Sequence, residues 1–168
     1  MLRLRPYKAC DAEEITKWLK DEYALRQWSA DRYGKYPITP DDINNYYDGD
    51  RNSGRIWGMT AFDDTEVVGH LTMRFPTDDS LDEVRLGFVI VDDSKRGKGY
   101  GKEMLSLAIR YAFDFIKVSK ISLGVFENNI PAINCYTACG FKVVTREKTE
   151  SYRCMGEVWD CIEMEIVR

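Results

Sequence analysis

Alternation of apolar and polar residues predicts a strand near each end of the chain. The N-terminal segment MLRLRPY alternates with a period of two, and EVWDCIEMEIV near the C-terminus is apolar at alternate positions. The segment DAEEITKWLKDEYALRQW differs, because its apolar residues recur at steps of three or four, as on one face of a helix. The chain therefore begins with a predicted strand followed by a predicted amphipathic helix.

A second helix and three strands are predicted next. In TPDDINNYY, Thr39 is a suitable cap, Pro40 fits the first helical position, and Asp42 stands where a carboxylate suits the helix dipole. From Arg55 onward the pattern changes to RIWGMTAF, EVVGHLTMRF and LDEVRLGFVIV, separated by short polar breaks. These three runs predict an antiparallel meander.

The second half of the chain predicts two helices between further strands. GYGKEMLSLAIRYAFDFI is amphipathic, KISLGVF is a short buried strand, and IPAINCYTAC is a helix that Gly140 ends. FKVVTREKT and EVWDCIEMEIV are the closing strands. The order predicts an α/β fold of about seven strands in a mixed sheet, with about four helices on its faces.

Composition adds limits on size, location and partners. With 168 residues and 44% hydrophobic content, one core and a single domain over residues 1–168 are expected. The N-terminus does not resemble a signal peptide and no apolar run could span a membrane, so we expect a cytoplasmic protein without a membrane partner. Five cysteines without a CxxC pair and one histidine predict no metal, and a net charge of -4 argues against nucleic acid.

A glycine-rich stretch, RGKGYGK, lies between the strand LGFVIV and the helix after it. The first N–H groups of a helix have no partner inside the helix and lie at the positive end of its dipole. Gly97, Gly99 and Gly101 allow positive φ and close approach of a ligand, while Arg96 and Lys98 add positive charge. The stretch predicts a pyrophosphate site. A glycine turn with a purely steric role is the alternative.

Two common phosphate-binding loops do not match this stretch. A Walker A loop has Ser or Thr after its Gly-Lys pair, whereas Glu103 follows Gly101 and Lys102 here. The dinucleotide fingerprint GxGxxG has a different glycine spacing and opens a βαβ unit, whereas the preceding strands here are predicted hairpins.

Two motifs resemble those of the GNAT N-acetyltransferase superfamily. RGKGYG, residues 96–101, is similar to the acetyl-CoA loop [QR]-x-x-G-x-[GA] of that family. The later block VFENNIPAINCYTACGF resembles its second motif, and the matching residues are Asn129, Ala132, Ile133, Tyr136, Gly140 and Phe141. The resemblance covers roughly residues 55–145 by motif and the whole chain by element order.

The resemblance implies a fold and a reaction. The fold is a mostly antiparallel mixed sheet with a splayed cleft for acetyl-CoA, which is the cosubstrate, and no metal takes part. The reaction is direct attack of a primary amine on acetyl-CoA in a ternary complex. Either a small metabolite or antibiotic, or the N-terminus of a peptide or protein, is expected as the acceptor.

The resemblance also implies residues that bind acetyl-CoA. The strand LGFVIV would pair with the pantetheine arm, a bulge in it would aim the N–H of Val89 or Ile90 at the thioester oxygen, and the glycine loop would hold the pyrophosphate. Asn129 and Asn134 are predicted contacts of the arm, with helix capping or solvation as the alternative. The predicted binding residues are Phe88, Val89, Ile90, Val91, Arg96, Gly97, Lys98, Gly99, Tyr100, Gly101, Lys102, Asn129 and Asn134.

Acid and base roles fall to Tyr136 and Glu83. Tyr136 matches the tyrosine that the family often uses to protonate the departing thiolate, with a core tyrosine as the alternative. Many relatives carry a glutamate base two residues before the glycine-aromatic pair of the strand, but Arg85 stands there and cannot accept a proton. Glu83, on the same strand face, is the predicted base, and His70 is a second candidate. Arg85 could instead bind a carboxylate on an amino-acid-like acceptor.

Two further hypotheses follow. A module that senses acetyl-CoA without catalysis is the alternative function, favoured by Arg85 and opposed by Tyr136. A homodimer could form if the closing strand EVWDCIEMEIV paired across a sheet edge.

Overall fold

A computed structural model describes residues 1–51, 55–64, 66–77 and 79–168. The strands are β1 (Leu2–Pro6), β2 (Ile56–Asp63), β3 (Glu66–Arg74), β4 (Glu83–Val91), β5 (Lys120–Phe126), β6 (Lys142–Val144), β7 (Glu150–Cys154) and β8 (Glu157–Val167). The helices are α1 (Asp11–Trp18), α2 (Glu22–Ser29), α3 (Pro40–Arg51), α4 (Tyr100–Arg110), which continues as π-helix over Tyr111–Ile116, and α5 (Ile130–Ala138). Within these ranges, no helix has the length and apolar character that crossing a bilayer requires.

The eight strands of the described ranges form one mixed sheet. Its order is β1-β2-β3-β4-β5-β8, and β6 and β7 both pair with the far side of β8. Neighbouring strands are antiparallel except β4 and β5, which are parallel. The predicted α/β fold with a mostly antiparallel sheet is confirmed. The sheet has one strand more than expected, because the polar segment ESYRC pairs with β8 as β7.

The predicted first helix is two helices. The carboxylate of Asp21 accepts a hydrogen bond from the N–H of Ala24 at 2.7 Å, and this cap starts α2 as a separate element. Ile15 of α1 and Leu25 of α2 are nevertheless buried in one cluster. The predicted helical periodicity is therefore confirmed, but the prediction of one continuous helix is wrong, because a new helix starts at the capping residue.

Each face of the sheet carries its own apolar core. On one face, α4 and α5 pack through residues such as Met104 and Tyr136. On the other face, α1, α2 and α3 pack around Leu25, Tyr47 and neighbouring aromatic rings. The cleft described below lies between β4 and β5.

The prediction that the closing strand could pair with a second copy is wrong. β8 is hydrogen-bonded on one side to β5 over residues 161–167 and on the other side to β6 and β7. It is therefore an interior strand, and its alternating apolar residues face the cores of its own chain.

Candidate active site

The parallel strands β4 and β5 pair over only part of their length. Residues 83–86 of β4 align with residues 120–123 of β5, and the pairing stops there. β5 continues along β8 to Phe126, so the two strands separate beyond Leu86 and Leu123. A cleft of about 670 Å³ opens in the gap and is lined by both strands and by residues of α2, α5 and β7.

A β-bulge shapes the β4 wall of this cleft. Gly87 pairs with Thr72 and Ile90 pairs with His70, so Phe88 and Val89 stand opposite a single residue of β3. Phe88 has a φ of 47°, which is left-handed backbone at a bulky residue. The structure thus contains the predicted bulge, and Phe88 and Val89 both line the cleft.

The indole of Trp28 holds the bulge from the α2 side. Its Nε1–H donates a 2.8 Å hydrogen bond to the carbonyl oxygen of Phe88. The rings of Trp28 and Phe88 also meet edge to face, with centroids 5.0 Å apart. This bond fixes the direction of the Phe88 carbonyl and hence the orientation of the peptide group between Phe88 and Val89.

The glycine-rich stretch forms a turn that opens into α4. Gly97 and Gly99 have φ of 75° and 87°, and the positions where their Cβ atoms would stand are open space. Gly99 caps α4, whose first N–H groups point into this turn, and Arg96 and Lys98 are exposed beside it. A phosphate would fit, because a bare backbone and two cations face free volume. The expected positive φ is wrong for Gly101, which is helical and lies near Cys135 Sγ instead.

The remaining predicted binding residues divide into two groups. Ile90 and Val91 pack into the cores on opposite faces of the sheet, so only their backbone atoms could contact a ligand. The Tyr100 hydroxyl donates to Asp63 at 2.6 Å, and Lys102 is exposed on the first turn of α4.

The two candidate asparagines occupy different surroundings. Asn129 lines the cleft, and its side-chain oxygen caps α5 by accepting from the Ala132 N–H at 3.3 Å, which leaves its amide nitrogen as a donor. Asn134 is exposed on α5 and is not part of the cleft lining.

Tyr136 lies on the α5 side of the cleft. Its side chain is buried against Phe141, with ring centroids 6.0 Å apart, and it contributes to the cleft wall. Burial raises the pKa of Tyr136 well above that of an ordinary phenol. The hydroxyl therefore stays protonated and can act only as a proton donor at physiological pH.

Glu83 lies at the closed end of the cleft. Its carboxylate forms an ion pair with Lys120 at 2.8 Å and accepts from the Ser122 hydroxyl at 2.5 Å. Burial raises the pKa of Glu83, but the bonds from Lys120 and Ser122 outweigh burial, so the pKa lies below its ordinary value. The group is an ionised carboxylate and a weak base.

Arg85 is neutralised by a carboxylate of its own chain. Its two terminal nitrogens donate to Glu163 at 2.5 Å and 3.0 Å, and the pair is mostly buried. Gly124 makes this possible, because a Cβ there would lie 2.9 Å from Arg85 Nη2. Arg85 therefore has a structural partner where the sequence suggested an acceptor carboxylate.

His70 is remote from the cleft. It is fully buried among aromatic rings, its Nε2 lies 2.7 Å from the Tyr47 hydroxyl oxygen, and burial lowers the pKa of His70 to about 3. It is not part of the cleft lining. Its position makes direct proton transfer from an amine in the cleft impossible without a large rearrangement.

Several residues of the cleft were not identified from the sequence. They come from the loop after α2, from the end of β3 and from the segment before β8, and they include Arg32, Arg74, Arg146, Glu150 and Tyr152. The period of two in β3 places Arg74 on the same face of the sheet as Thr72, and both side chains line the cleft.

Comparison with known proteins places these features in context. The model of the acetyltransferase (GNAT) family matches residues 13–141. The spermine/spermidine N(1)-acetyltransferase of Bacillus subtilis (strain 168) is 32% identical over 100 residues, which are 60% of this chain and 58% of that enzyme. An L-amino acid N-acetyltransferase of Escherichia coli (strain K12) is 29% identical over 110 residues, which are 66% of this chain and 67% of that enzyme.

Solved structures share the fold. The crystal structure of spermidine N-acetyltransferase from Vibrio cholerae in complex with CoA and spermine superposes with a TM-score of 0.82 at 20% sequence identity. The superposition covers 99% of this chain and 95% of that chain.

Proposed function

The chain belongs to the acetyltransferase (GNAT) family, and from that premise we propose that it acetylates the primary amine of a small molecule or short peptide in the cleft between β4 and β5. It is an acetyl-CoA-dependent N-acetyltransferase, with acetyl-CoA as its cosubstrate. The observation that carries the proposal is the continuity of the glycine turn, the bulge and the cleft along one strand, β4.

Acetyl-CoA would lie along this strand, with its phosphates next to positive charge. The N–H groups at the start of α4, with Arg96 and Lys98, would hold the pyrophosphate. The pantetheine arm would run along Phe88 to Val91, where β4 has no strand partner on its β5 side. The thioester would then lie at the bulge, with the amide nitrogen of Asn129 available to the arm.

The bulge would supply the electrostatic part of catalysis. Acetyl transfer places negative charge on the thioester oxygen, and an N–H fixed in advance stabilises that charge more than mobile water does. We assign this donor to the backbone of Val89, because Val89 lines the cleft within the bulge and the Trp28 hydrogen bond fixes the carbonyl of the same peptide group. No ionisable side chain is needed for the step.

Proton transfers require a donor and an acceptor. Tyr136 would donate to the departing CoA thiolate, because its raised pKa keeps it protonated and it lies in the cleft wall. Glu83 remains the candidate base, although its ion pair with Lys120 weakens it. We therefore expect the amine to attack in its neutral form after losing its proton to solvent, directly or through Glu83.

The experiment is mass spectrometry of products after incubation with acetyl-CoA and a panel of amino acids, short peptides, polyamines and aminoglycosides. The expected result is a mass gain of one acetyl group on one class, strongly reduced in Tyr136→Phe. Calorimetry with CoA runs in parallel. Binding of CoA without transfer to any amine or peptide would favour a sensor of acetyl-CoA, and absence of CoA binding would refute the assignment of the cleft.

A further inference from the structure

We propose that the acceptor carries a carboxylate close to its reactive amine, and that Arg74, assisted by Arg32, binds this carboxylate. The inference rests on the proposed function and names the substrate class of the same cleft. The charges that line the cleft carry the argument. Four guanidinium groups and two carboxylates line it, and they are Arg32, Arg74, Arg85, Arg146, Glu83 and Glu150.

Three of these six groups have an ion-pair partner within the chain. Arg85 and Arg146 share the carboxylate of Glu163, at 2.5 Å and 2.8 Å. Glu83 is paired with Lys120. Glu150 is exposed on β7 and accepts from the Tyr152 hydroxyl at 3.3 Å.

Arg74, at the end of β3, has no such ion-pair partner among the described residues. It ends β3 directly beside Arg85 and is half-buried, and no carboxylate of the described residues forms a hydrogen bond or an ion pair with it. Burial lowers the pKa of Arg74, and the charges of Arg85 and Arg32 lower it further. A half-buried cation among other cations is costly unless an anion joins it.

Arg32 stands at the rim of the same space. Its guanidinium lies 5.5 Å from the centroid of the Phe88 ring and donates to the carbonyl oxygen of Ser29 at 3.2 Å. It has no carboxylate partner in the described part of the chain either. Because Phe88 is the bulge residue, an anion bound between Arg32 and Arg74 would lie next to the place where the amine must attack.

The arrangement selects against one class of amine and for another. A polyamine brings two or more positive charges next to Arg74 and Arg32, which have no carboxylate partner among the described residues, and this repulsion costs binding energy. An amino acid or a short peptide brings a carboxylate that a guanidinium can bind through two hydrogen bonds. The same positive charges lower the pKa of a nearby ammonium group, which favours the neutral amine that the weak base Glu83 alone would not provide.

The test uses pairs of acceptors that differ only in charge. Initial rates of acetylation are measured with free amino acids and the matching amino acid amides, with dipeptides and their C-terminal amides, and with spermidine. The carboxylate member of each productive pair should have a kcat/KM about 10- to 100-fold above that of its amide, because a charged hydrogen-bonded contact is lost. The amino acid and dipeptide arms distinguish a free amino acid from a peptide end.

Variants assign the effect to the two arginines. Arg74→Gln should abolish the preference for the carboxylate, mainly through KM, and Arg74→Lys should restore part of it. Arg32→Gln should reduce the preference less, because Arg32 is exposed. Arg110→Gln is the matched control, since Arg110 is exposed on α4 and outside the cleft.

A binding measurement separates this inference from the proposed function. Calorimetry of the CoA-saturated protein with each acid and amide pair reports carboxylate recognition without turnover. Equal binding and equal rates for acids and amides, or a preference for spermidine, would overturn the carboxylate site while leaving acetyl transfer intact. A preference that survives in Arg74→Gln would overturn the residue assignment. Failure of CoA to bind would instead contradict the proposed function, and the acid and amide comparison on the CoA-free protein would still decide the inference.

Discussion

The two sides of the cleft are built in different ways. The proposed CoA side consists mainly of backbone: the bulge of β4, the glycine turn and the first N–H groups of α4 follow each other over residues 87–102. The acceptor side consists of side chains from separate elements, including Trp28, Arg32, Arg74 and Tyr152. Backbone N–H groups would bind a phosphate or a thioester oxygen whatever the neighbouring side chains are, whereas the acceptor would be chosen by side chains that a few substitutions can change.

The largest expected effect on CoA binding comes from breaking the CoA side. In Gly99→Val, a branched side chain must adopt left-handed backbone and projects into the space proposed for the pyrophosphate. We expect the Kd for CoA to rise by about 100-fold or more, from strain of about 1–2 kcal/mol together with lost hydrogen bonds. Calorimetric titration with CoA measures this Kd.

Gly101→Ala is the control for that experiment. Gly101 is helical, and its added Cβ would lie 3.4 Å from Cys135 Sγ, which requires only a small shift. We expect nearly unchanged CoA affinity. If both variants bound CoA equally well, the turn would not be the phosphate site.

Tyr136→Phe tests the chemistry at the junction of the two sides. Removing the hydroxyl should lower kcat by roughly 10²–10⁴-fold, the usual contribution of a general acid, and should leave the Kd for CoA unchanged. In the wild-type enzyme, the raised pKa of Tyr136 means that ionisation of this phenol should not lower kcat up to about pH 10, the ordinary phenol pKa. A descending limb near pH 8 that Tyr136→Phe removes would contradict the assignment.

Trp28→Phe sharpens the comparison, because Trp28 belongs to the acceptor side but holds the backbone of the CoA side. An aromatic ring remains, but the 2.8 Å hydrogen bond to the Phe88 carbonyl is lost together with part of the volume of the indole, a loss of volume that the control below shares. We expect kcat to fall by about 10-fold, equivalent to one hydrogen bond, with little change in the KM for acetyl-CoA. Trp57→Phe, a residue of β2 outside this cleft, is the control. An equal loss in both variants would indicate general destabilisation.

The smallest effect on activity is expected from His70, beneath the acceptor side. Its folded-state pKa of about 3 lies below the value of about 6.5 for an unfolded histidine. Between these values the unfolded state binds one more proton, so the stability that neutral His70 contributes is present above pH 6.5 and is lost as pH falls. The slope should be about 1.4 kcal/mol per pH unit.

Urea unfolding at pH 7.5, 6 and 5 checks this slope in the wild type and in His70→Gln. His70→Gln should be less stable than the wild type at pH 7.5. Its free energy of unfolding should also fall less steeply as the pH falls, because it lacks the one proton that His70 binds on unfolding. Identical slopes would show that His70 is not the group that titrates.

The contrast between the two sides also explains what the sequence could predict. The turn is formed by neighbouring residues, Arg96 to Gly99, so a motif read along the sequence is enough to predict it. The number of strands and the break at Asp21 were harder, because β7 is polar and forms only through pairing with β8. The fold class survived these errors, since it depends on the order of the long apolar runs.

Residues of the acceptor side could not be predicted in the same way. Arg85 pairs with Glu163, which is 78 positions away in the chain, and the sequence contains no signal for that contact. Arg74 became a candidate only after the register of β3 and β4 placed it beside Arg85 and left it without a carboxylate. Charge balance within a cleft is a property of the folded chain, and local patterns do not report it.

The interior position of β8 has a consequence for how the protein is made. β5 forms one wall of the cleft, and its outer edge is hydrogen-bonded to β8, which follows every other strand in chain order. During synthesis, the edges of β5, β6 and β7 stay unpaired until β8 emerges, and these contacts are distant in sequence. The nascent chain therefore exposes strand edges that favour aggregation, and the enzyme becomes competent only when its last strand is inserted.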